Sequence, residues 1–441
     1  MQVGRLRTCG LAKESVLGTL QTPPTTFLRF IPPESFYPKV SPLISKAVGT
    51  VPDVNIKQTL GVGEVMGMKI PLELEPENIG QVLQACFGSD TAAESASFVI
   101  QTGVNDKINF KESGGSQLTG TIAAGTYIMG TTSATASTLC KAVKTAMDGA
   151  AGAIHTYTVT YSYTTKKVTI AASTGTVQIL WSTGTNAATS ARTILGFTAA
   201  DTSDSASVTS NSTTTVPPFT HTFVRQAATQ LPTYSWWFDK NPLYPQFVGC
   251  MLDKMDIDIK AKDIVKIDSD WTGLSYDATG ITQTPSYSGA RPFTFNMATV
   301  NVDGSPVLDY DNIKFGIKNM VKADHALSGS IFPAKIYSEG MDLDISADLF
   351  FEDSTQYNKF LAGTTAHLNV VLTSADDISG AATGTKYSLT IDVPQWVYQS
   401  ANLVIPSGVL KIPFAGKGML DYASTGYTVQ MVLKNSVSTA Y

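Results

Sequence analysis

Three stretches of the chain alternate between apolar and charged residues. They are Lys69–Glu75, Met255–Trp271 and Met341–Phe351. In each, every second residue is Ile, Leu, Met, Val, Trp or Phe with few exceptions, and Asp, Glu or Lys occupy most of the positions between them. This period of two is typical of antiparallel strands with one buried and one wetted face. The pattern predicts a mainly β protein, of α+β composition, with few and short helices.

One unit of this pattern occurs twice: an alternating strand, an acidic turn, a short helix and a glycine. The first copy is MKIPLELEPENIGQVLQACFG, with a helix predicted within Pro76–Gly88. The second is MDLDISADLFFEDSTQYNKFLAG, from Met341 to Gly363. Each copy follows a long polar or Gly-rich stretch and is followed later by a pair of strands. We therefore predict two tandem antiparallel β-sandwich or barrel domains, each with a short helix.

A Ser/Thr-rich stretch interrupts the first copy, from about Thr91 to Pro218. The acidic alternation stops where this stretch begins and resumes after it. Its own patterns predict several strands, an amphipathic helix at Ser137–Ala150 and a second short helix at Asn186–Phe197. We predict a small inserted α+β module. The predicted domains are residues 1–90 with 217–284, the inserted module 91–216, and residues 285–441.

Composition and charge narrow the possible functions. Of 441 residues only 15% are charged and the formal net charge is −5, which suits a subunit that buries surface against neighbours and argues against a nucleic-acid binder. Four cysteines are widely separated and predict free thiols. Metal-ligand spacings and the motifs of hydrolases and nucleotide-binding proteins are missing from the sequence. We predict a protein that is not an enzyme, with no catalytic residue, metal or cofactor.

The ordered motifs resemble the tail tube (major tail) proteins of long-tailed bacteriophages. The first half carries ESVLGTLQTPPTTFLRF, GMKIPLELEPENIGQVLQACFGS and GCMLDKMDIDIKAKDIVKIDSDWTG. The second half carries RPFTFNMATVNVDGSPVLDYDNIKFGIKN, MDLDISADLFFEDSTQYNKFLAGT and KYSLTIDVPQWVYQS. The inserted module departs from the minimal family pattern and is similar to small modules of phage virion proteins.

The resemblance implies a structural virion protein that self-assembles into stacked rings, forming the hollow tail tube through which the genome is ejected. Because each chain has two similar halves, three chains would form a ring with approximate six-fold symmetry. Implied partners are further copies of the chain, tape measure and tail terminator proteins, and DNA in transit without specific binding. Assembly would occur in the host cytoplasm. We expect the insert to project from the outer wall, where host-surface glycans are a candidate ligand.

Two sets of residues follow as site hypotheses. Carboxylates on the alternating strands are candidates to line the lumen and repel DNA phosphate; the alternative is an outer, solvent-facing position. These candidates are Glu73, Glu75, Asp256, Asp258, Asp342 and Asp344. Apolar residues in Ile44–Gly63 and Val321–Gly340 are candidates for contacts between rings; the alternative is packing within their own domain. These candidates are Ile44, Val48, Leu60, Leu327, Ile331 and Phe332.

A rival interpretation stays open from the sequence. Trp181, Trp236 and Trp237 would contact sugars in a multidomain carbohydrate-binding or cell-surface β-protein. Exposed tryptophans in a groove would favour this rival, whereas the internal duplication favours the tube.

Overall fold

The computed structural model describes residues 8–21, 23–32, 39–45, 57–95, 98–211, 218–225, 230–239, 244–277, 279–280, 283–381, 383–402 and 410–441. This part of the chain is mostly antiparallel β-structure with three α-helices, which confirms the predicted fold class. The described helices are all too short or too polar to cross a membrane. The first elements are β1 (Thr8–Lys13), β2 (Thr26–Phe27), β3 (Lys39–Ser45), β4 (Lys57–Glu73), helix α1 (Gly80–Phe87) and β5 (Thr91–Glu94).

In the Ser/Thr-rich stretch, the described residues from 98 to 211 form eight short strands and one α-helix. These are β6 (Phe98–Ile100), β7 (Lys107–Glu112), β8 (Leu118–Thr121), β9 (Gly125–Tyr127), α2 (Leu139–Asp148), β10 (Tyr157–Ser162), β11 (Lys167–Ala172), β12 (Val177–Ile179) and β13 (Ser207–Thr209). A 3₁₀ turn lies at Ala187–Thr189.

The described residues after the Ser/Thr-rich stretch contain fifteen strands, one α-helix and a 3₁₀ turn at Phe295–Met297. The first strands are β14 (Phe219–Val224), β15 (Tyr234–Asp239), β16 (Gln246–Lys260), β17 (Lys266–Gly273), β18 (Ser275–Asp277), β19 (Ala298–Val302) and β20 (Ser305–Pro306). The others are β21 (Tyr310–Lys318), β22 (Val321–Asp324), β23 (Lys335–Ser338), β24 (Asp342–Phe350), α3 (Thr355–Ala362), β25 (Thr365–Asp377), β26 (Lys386–Ala401), β27 (Lys411–Gly418) and β28 (Gln430–Asn435).

The two repeated units fold as predicted. Strand β4 leads into α1 and strand β24 leads into α3, and both helices end at a glycine in the left-handed region, Gly88 (φ 80°) and Gly363 (φ 63°). A glycine after the last turn lets the backbone leave the helix without a Cβ clash, so these two residues fix where the helices end.

Eight strands form one continuous antiparallel sheet in the order β3-β4-β17-β16-β21-β24-β27-β26, called here the eight-strand sheet. Its first four strands belong to the first half of the chain and its last four to the second. The two groups are joined by the pairing of β16 with β21, where Ile257 lies opposite Phe315. In each group the strand preceding the helix (β4, β24) pairs with the last strand (β17, β27), and the latter pairs with a long strand (β16, β26).

The long strands β16 and β26 each take part in a second sheet region. The first part of β16 pairs with β15 and β18, and the first part of β26 pairs with β25 and β28. The apolar residues of the two halves pack into a single continuous core, which includes Ile70, Ile257, Phe315, Ile345 and Leu389. The halves are therefore repeats in strand order that share one core in the folded chain.

The Ser/Thr-rich stretch has a core of its own, which runs from Phe98 to Val208. Helix α2 confirms the predicted amphipathic helix, and its N-cap Thr138 accepts a hydrogen bond from the Lys141 amide. The predicted second helix at Asn186–Phe197 was wrong, because only a 3₁₀ turn and bonded turns form there. Hydroxyls compete for the local carbonyls: the Ser190 hydroxyl donates to the carbonyl of Ala187.

Candidate assembly surfaces

One face of the eight-strand sheet is apolar and covers the core, and the opposite face is charged. Alternation along each strand produces this division: in β16, Met255, Ile257 and Ile259 are buried, and Asp256 and Asp258 point to the other side. The carboxylates of the charged face are Glu73, Asp256, Asp258, Asp268, Asp270, Asp342, Asp344 and Asp348. The lysines of the same face are Lys69, Lys254, Lys260, Lys266, Lys314, Lys318, Lys411 and Lys417. Both signs are well represented, so the charged face is mixed rather than acidic.

Ion pairs connect the carboxylates of this face to its lysines. Asp256 contacts the Lys254 Nζ at 2.6 Å and the Lys314 Nζ at 3.0 Å, and its side chain is only 11% exposed. Lys314 lies on β21, so the contact crosses from the first half to the second. This ion pair and the backbone pairing of β16 with β21 both hold the halves together.

A second group of ion pairs lies on β24. Asp344 accepts a hydrogen bond from Lys318 at 2.6 Å and contacts Lys417 at 2.9 Å, and Lys417 also pairs with Asp342. The hydrogen bond from Lys318, together with that from Lys417, holds the pKa of Asp344 below its ordinary value. The hydrogen bonds that Lys417 donates to Asp342 and Asp344 raise the pKa of Lys417.

Gly316 makes room for these pairs at the junction of the halves. In the strand register it lies between Asp256 and Asp344. A Cβ at this position would lie 3.0 Å from Asp256 Oδ1. The absence of a side chain therefore leaves space for the two carboxylates and for the lysines that reach them.

Glu75 is separated from the other predicted carboxylates. It follows the end of β4 and is 4% exposed. Its carboxylate accepts a hydrogen bond from Arg29 Nη1 at 2.6 Å and another from the Asn78 amide at 3.2 Å. Glu75 thus joins the start of the chain to the turn before α1 and does not lie on the charged face of the described protomer, whereas Glu73 does.

The two segments predicted to contact other rings meet each other within one protomer. The β3–β4 hairpin and the β22–β23 hairpin lie at the same end of the eight-strand sheet. The Gly63 amide donates to the carbonyl of Ile331 at 2.7 Å, and His325 Nε2 donates to the carbonyl of Gly63 at 3.0 Å. A Cβ on Gly63 would lie 2.8 Å from the Phe332 ring, so only glycine permits this approach.

The predicted inter-ring residues divide into two groups. Ile44 on β3 is 50% exposed and Leu327, between β22 and β23, is fully exposed, whereas Ile331 and Phe332 are half-buried against the β3–β4 hairpin. The others, Val48 and the side chain of Leu60, lie outside the described residues.

The residues that would support sugar binding are buried. Trp181 and Trp236 are fully buried and Trp237 is 3% exposed. Trp181 packs on Phe197 in the core of the insert. These rings cannot stack on a ligand in this conformation, which removes the observation on which the rival interpretation depends.

In the described part of the chain, neither the four cysteines nor the side chains that could bind a metal form a candidate site. All four cysteines are buried thiols, as predicted, and burial raises the pKa of Cys86 and of Cys140 to about 12. Three or more His, Cys, Asp or Glu residues suited to a metal do not cluster anywhere in the described part of the chain.

Two polar clusters at the base of the insert were not predicted. His221 and Asp90, both fully buried, are in contact at 2.9 Å, and the other ring nitrogen of His221 is 2.9 Å from the carbonyl of Val437. Glu94, at the end of β5, accepts hydrogen bonds from the Gly130 amide at 3.0 Å and the Tyr163 hydroxyl at 2.5 Å. Their partners are distant in sequence, so no local pattern marks them.

Comparisons with known proteins point to one family. A search of curated proteins finds no match to the chain. A family model described as phage tail tube protein matches residues 195–405. The matched range includes β16 and β21, whose pairing joins the halves. It ends just after the last residue of β26, Ala401. Over this range, the chain is similar to the phage tail tube proteins, as the order of its motifs predicted.

Proposed function

We propose that this chain is the repeating subunit of a phage tail tube, in which copies associate into rings and rings stack into a hollow conduit for the genome. The family match supports a structural role in the tail, and we assign no catalysis to the chain. The observation that carries the proposal is the eight-strand sheet, because one strand order occurs in both of its halves.

The repeat suggests how a ring would close. Within the chain, β16 of the first half pairs with β21 of the second half. The counterpart of β16 is β26, in which Gln399 and Ser400, near its end, are exposed. We propose that this end of β26 pairs with the β3 edge of the next copy. Three copies would then present six similar halves, and closure would leave no sheet edge free to aggregate.

The charged face of the eight-strand sheet is the candidate lining of the bore. Its carboxylates include five of the six predicted lumen residues: Glu73, Asp256, Asp258, Asp342 and Asp344. Because lysines of the same face pair with several of them, the surface would neither repel DNA strongly nor hold it. We therefore replace the hypothesis of an acidic bore by that of a nearly neutral one with its charges paired locally.

The hairpin end of the sheet is the candidate ring-to-ring surface. Val40, Leu43 and Ile44 on β3 are each at least half exposed, and Leu327 is fully exposed on the adjacent hairpin. Apolar side chains gathered at one end of a subunit favour contact with another molecule. Ile331 and Phe332 would act indirectly, by holding the two hairpins together.

The insert and the other partners complete the proposal. Glu94 ties the insert to the main sheet, so we expect it to keep a fixed orientation on the outer wall. Host-surface glycans remain a candidate ligand, although the buried tryptophans would not contribute. Tape measure and tail terminator proteins are the expected tail partners, and assembly would occur in the host cytoplasm.

Electron microscopy and native mass spectrometry of the purified full chain test the proposal. We expect rings or tubes, and trimers as the smallest closed species. A chain that stays monomeric at high protein concentration and forms no rings would overturn the proposal.

A further inference from the structure

The two ends of the eight-strand sheet differ in shape. Strand β21 runs from Tyr310 to Lys318 and so separates the ends by about 27 Å. The hairpin end is formed by the β3–β4 and β22–β23 hairpins and lies beside Lys318, the last residue of β21. Its apolar residues are exposed. The opposite end, called here the groove end, lies beside Tyr310, the first residue of β21, and contains a concave surface.

The groove end has an apolar cavity of about 290 Å³. Phe295, Val307, Leu308 and the end of β16 at Ile259 contribute to its walls. Leu308 is 88% exposed and Phe295 is 41% exposed. An isolated exposed leucine is ordinary, but a leucine and a phenylalanine on one groove form a surface that contact with another molecule would cover.

The charges of the two ends are complementary. At the groove end, Asp309, Glu352 and Asp353 have no ion-pair partner among the described residues. At the hairpin end, Lys39 and Lys335 are exposed and likewise have no ion-pair partner in the described chain. A second copy placed head to tail would bring the unpaired lysines towards the unpaired carboxylates.

We propose that the groove end of one copy receives the hairpin end of a second copy, with Leu327 entering the groove beside Leu308. The two contacting surfaces differ, so the contact is heterologous and, when repeated along an axis, generates an open filament rather than a closed dimer. This inference rests on the proposed tube and specifies its polarity: hairpins of every ring point towards the groove ends of the next.

Two single substitutions test the contact from both sides. Leu308→Ser and Leu327→Ser should each leave the subunit folded, because both side chains are largely exposed. Each should raise the concentration needed for tube assembly about tenfold or more, because burial of a leucine is lost, and should leave rings intact. The control is Ile154→Ser, which removes a side chain of similar size and 79% exposure from the insert. It should assemble as the wild type does.

A charge exchange tests the same contact without removing apolar surface. Asp353→Lys should weaken stacking, and Lys335→Glu in the same chain should restore part of it. Circular dichroism checks that each variant is folded, and microscopy with sedimentation counts rings and tubes. Normal stacking by Leu308→Ser, or loss of rings as well as tubes, would overturn the inference. Wild-type chains that form neither rings nor tubes would instead overturn the proposed function on which it rests.

Discussion

The ion pairs around Asp256 should contribute measurably to holding the halves of the chain together. Asp256→Asn keeps the shape of the side chain but removes the charge that faces Lys254 and Lys314, at 2.6 and 3.0 Å. A charge-assisted hydrogen bond contributes roughly 1.5–3 kcal/mol when it is buried. The lysine side chains are 34% and 41% exposed, so solvent screens much of this energy. We expect a loss of about 1.5 kcal/mol in the free energy of unfolding.

The matched control is Asp268→Asn on the neighbouring strand. Asp268 is 42% exposed and its partner Lys69 is 3.7 Å away and 51% exposed. An exposed pair of this kind contributes below roughly 0.5 kcal/mol. The two substitutions change the net charge equally, so a difference between them reports burial and geometry rather than charge.

Urea unfolding followed by tryptophan emission measures both variants, since guanidinium would itself screen the ion pairs. A Trp181→Phe background removes the signal of the insert and leaves Trp236, Trp271 and Trp396 in the main core. Adding Lys314→Met to Asp256→Asn completes a double-mutant cycle, for which we expect a coupling of about 1 kcal/mol. Equal effects of Asp256→Asn and Asp268→Asn, or a coupling near zero, would refute this explanation of the junction.

Three further outcomes are expected. Glu94→Gln should loosen the insert and speed amide hydrogen exchange at Gly130, while exchange in β16 stays unchanged; unchanged exchange at Gly130 would mean that Glu94 does not anchor the insert. The pKa of Asp344 is lowered by Lys318 and Lys417, so its stabilising contribution is complete only well above the ordinary pKa of 3.8 and is lost as pH falls through that value and then through the lowered pKa. The urea midpoint should therefore drop between pH 5 and about 2 more in the wild type than in Asp344→Asn, and an equal drop would exclude this contribution. Because burial raises the pKa of the Cys86 thiol to about 12, iodoacetamide at about pH 8 should label no cysteine until urea unfolds the chain; rapid labelling of the native protein would contradict the burial.

The local features of the fold were predictable from the sequence. Side-chain alternation in β16 and β24 identified the strands, and Gly88 and Gly363 marked the ends of two helices. Both signals depend only on neighbouring residues. The insert helix at Asn186–Phe197 was wrong, because side-chain hydroxyls compete there with helical hydrogen bonds.

Contacts between segments that are distant in the sequence could not be predicted from such local patterns. Arg29 reaches Glu75 across 46 positions, and Gly63 meets Ile331 across most of the chain. The mixed charge of the sheet face had a local signal, since Lys254 and Lys260 alternate in phase with Asp256 and Asp258. Those lysines indicate a face with paired charges instead of an acidic one.

The most direct measurement of the central claim is an electron cryomicroscopy reconstruction of assemblies formed by the full chain. We predict rings of three chains in which β26 of each copy pairs with the β3 edge of the next, with the charged face that carries Asp256 and Asp344 lining the bore. Assemblies with that face on the outer wall, or with closed contacts that leave both sheet edges free, would contradict it.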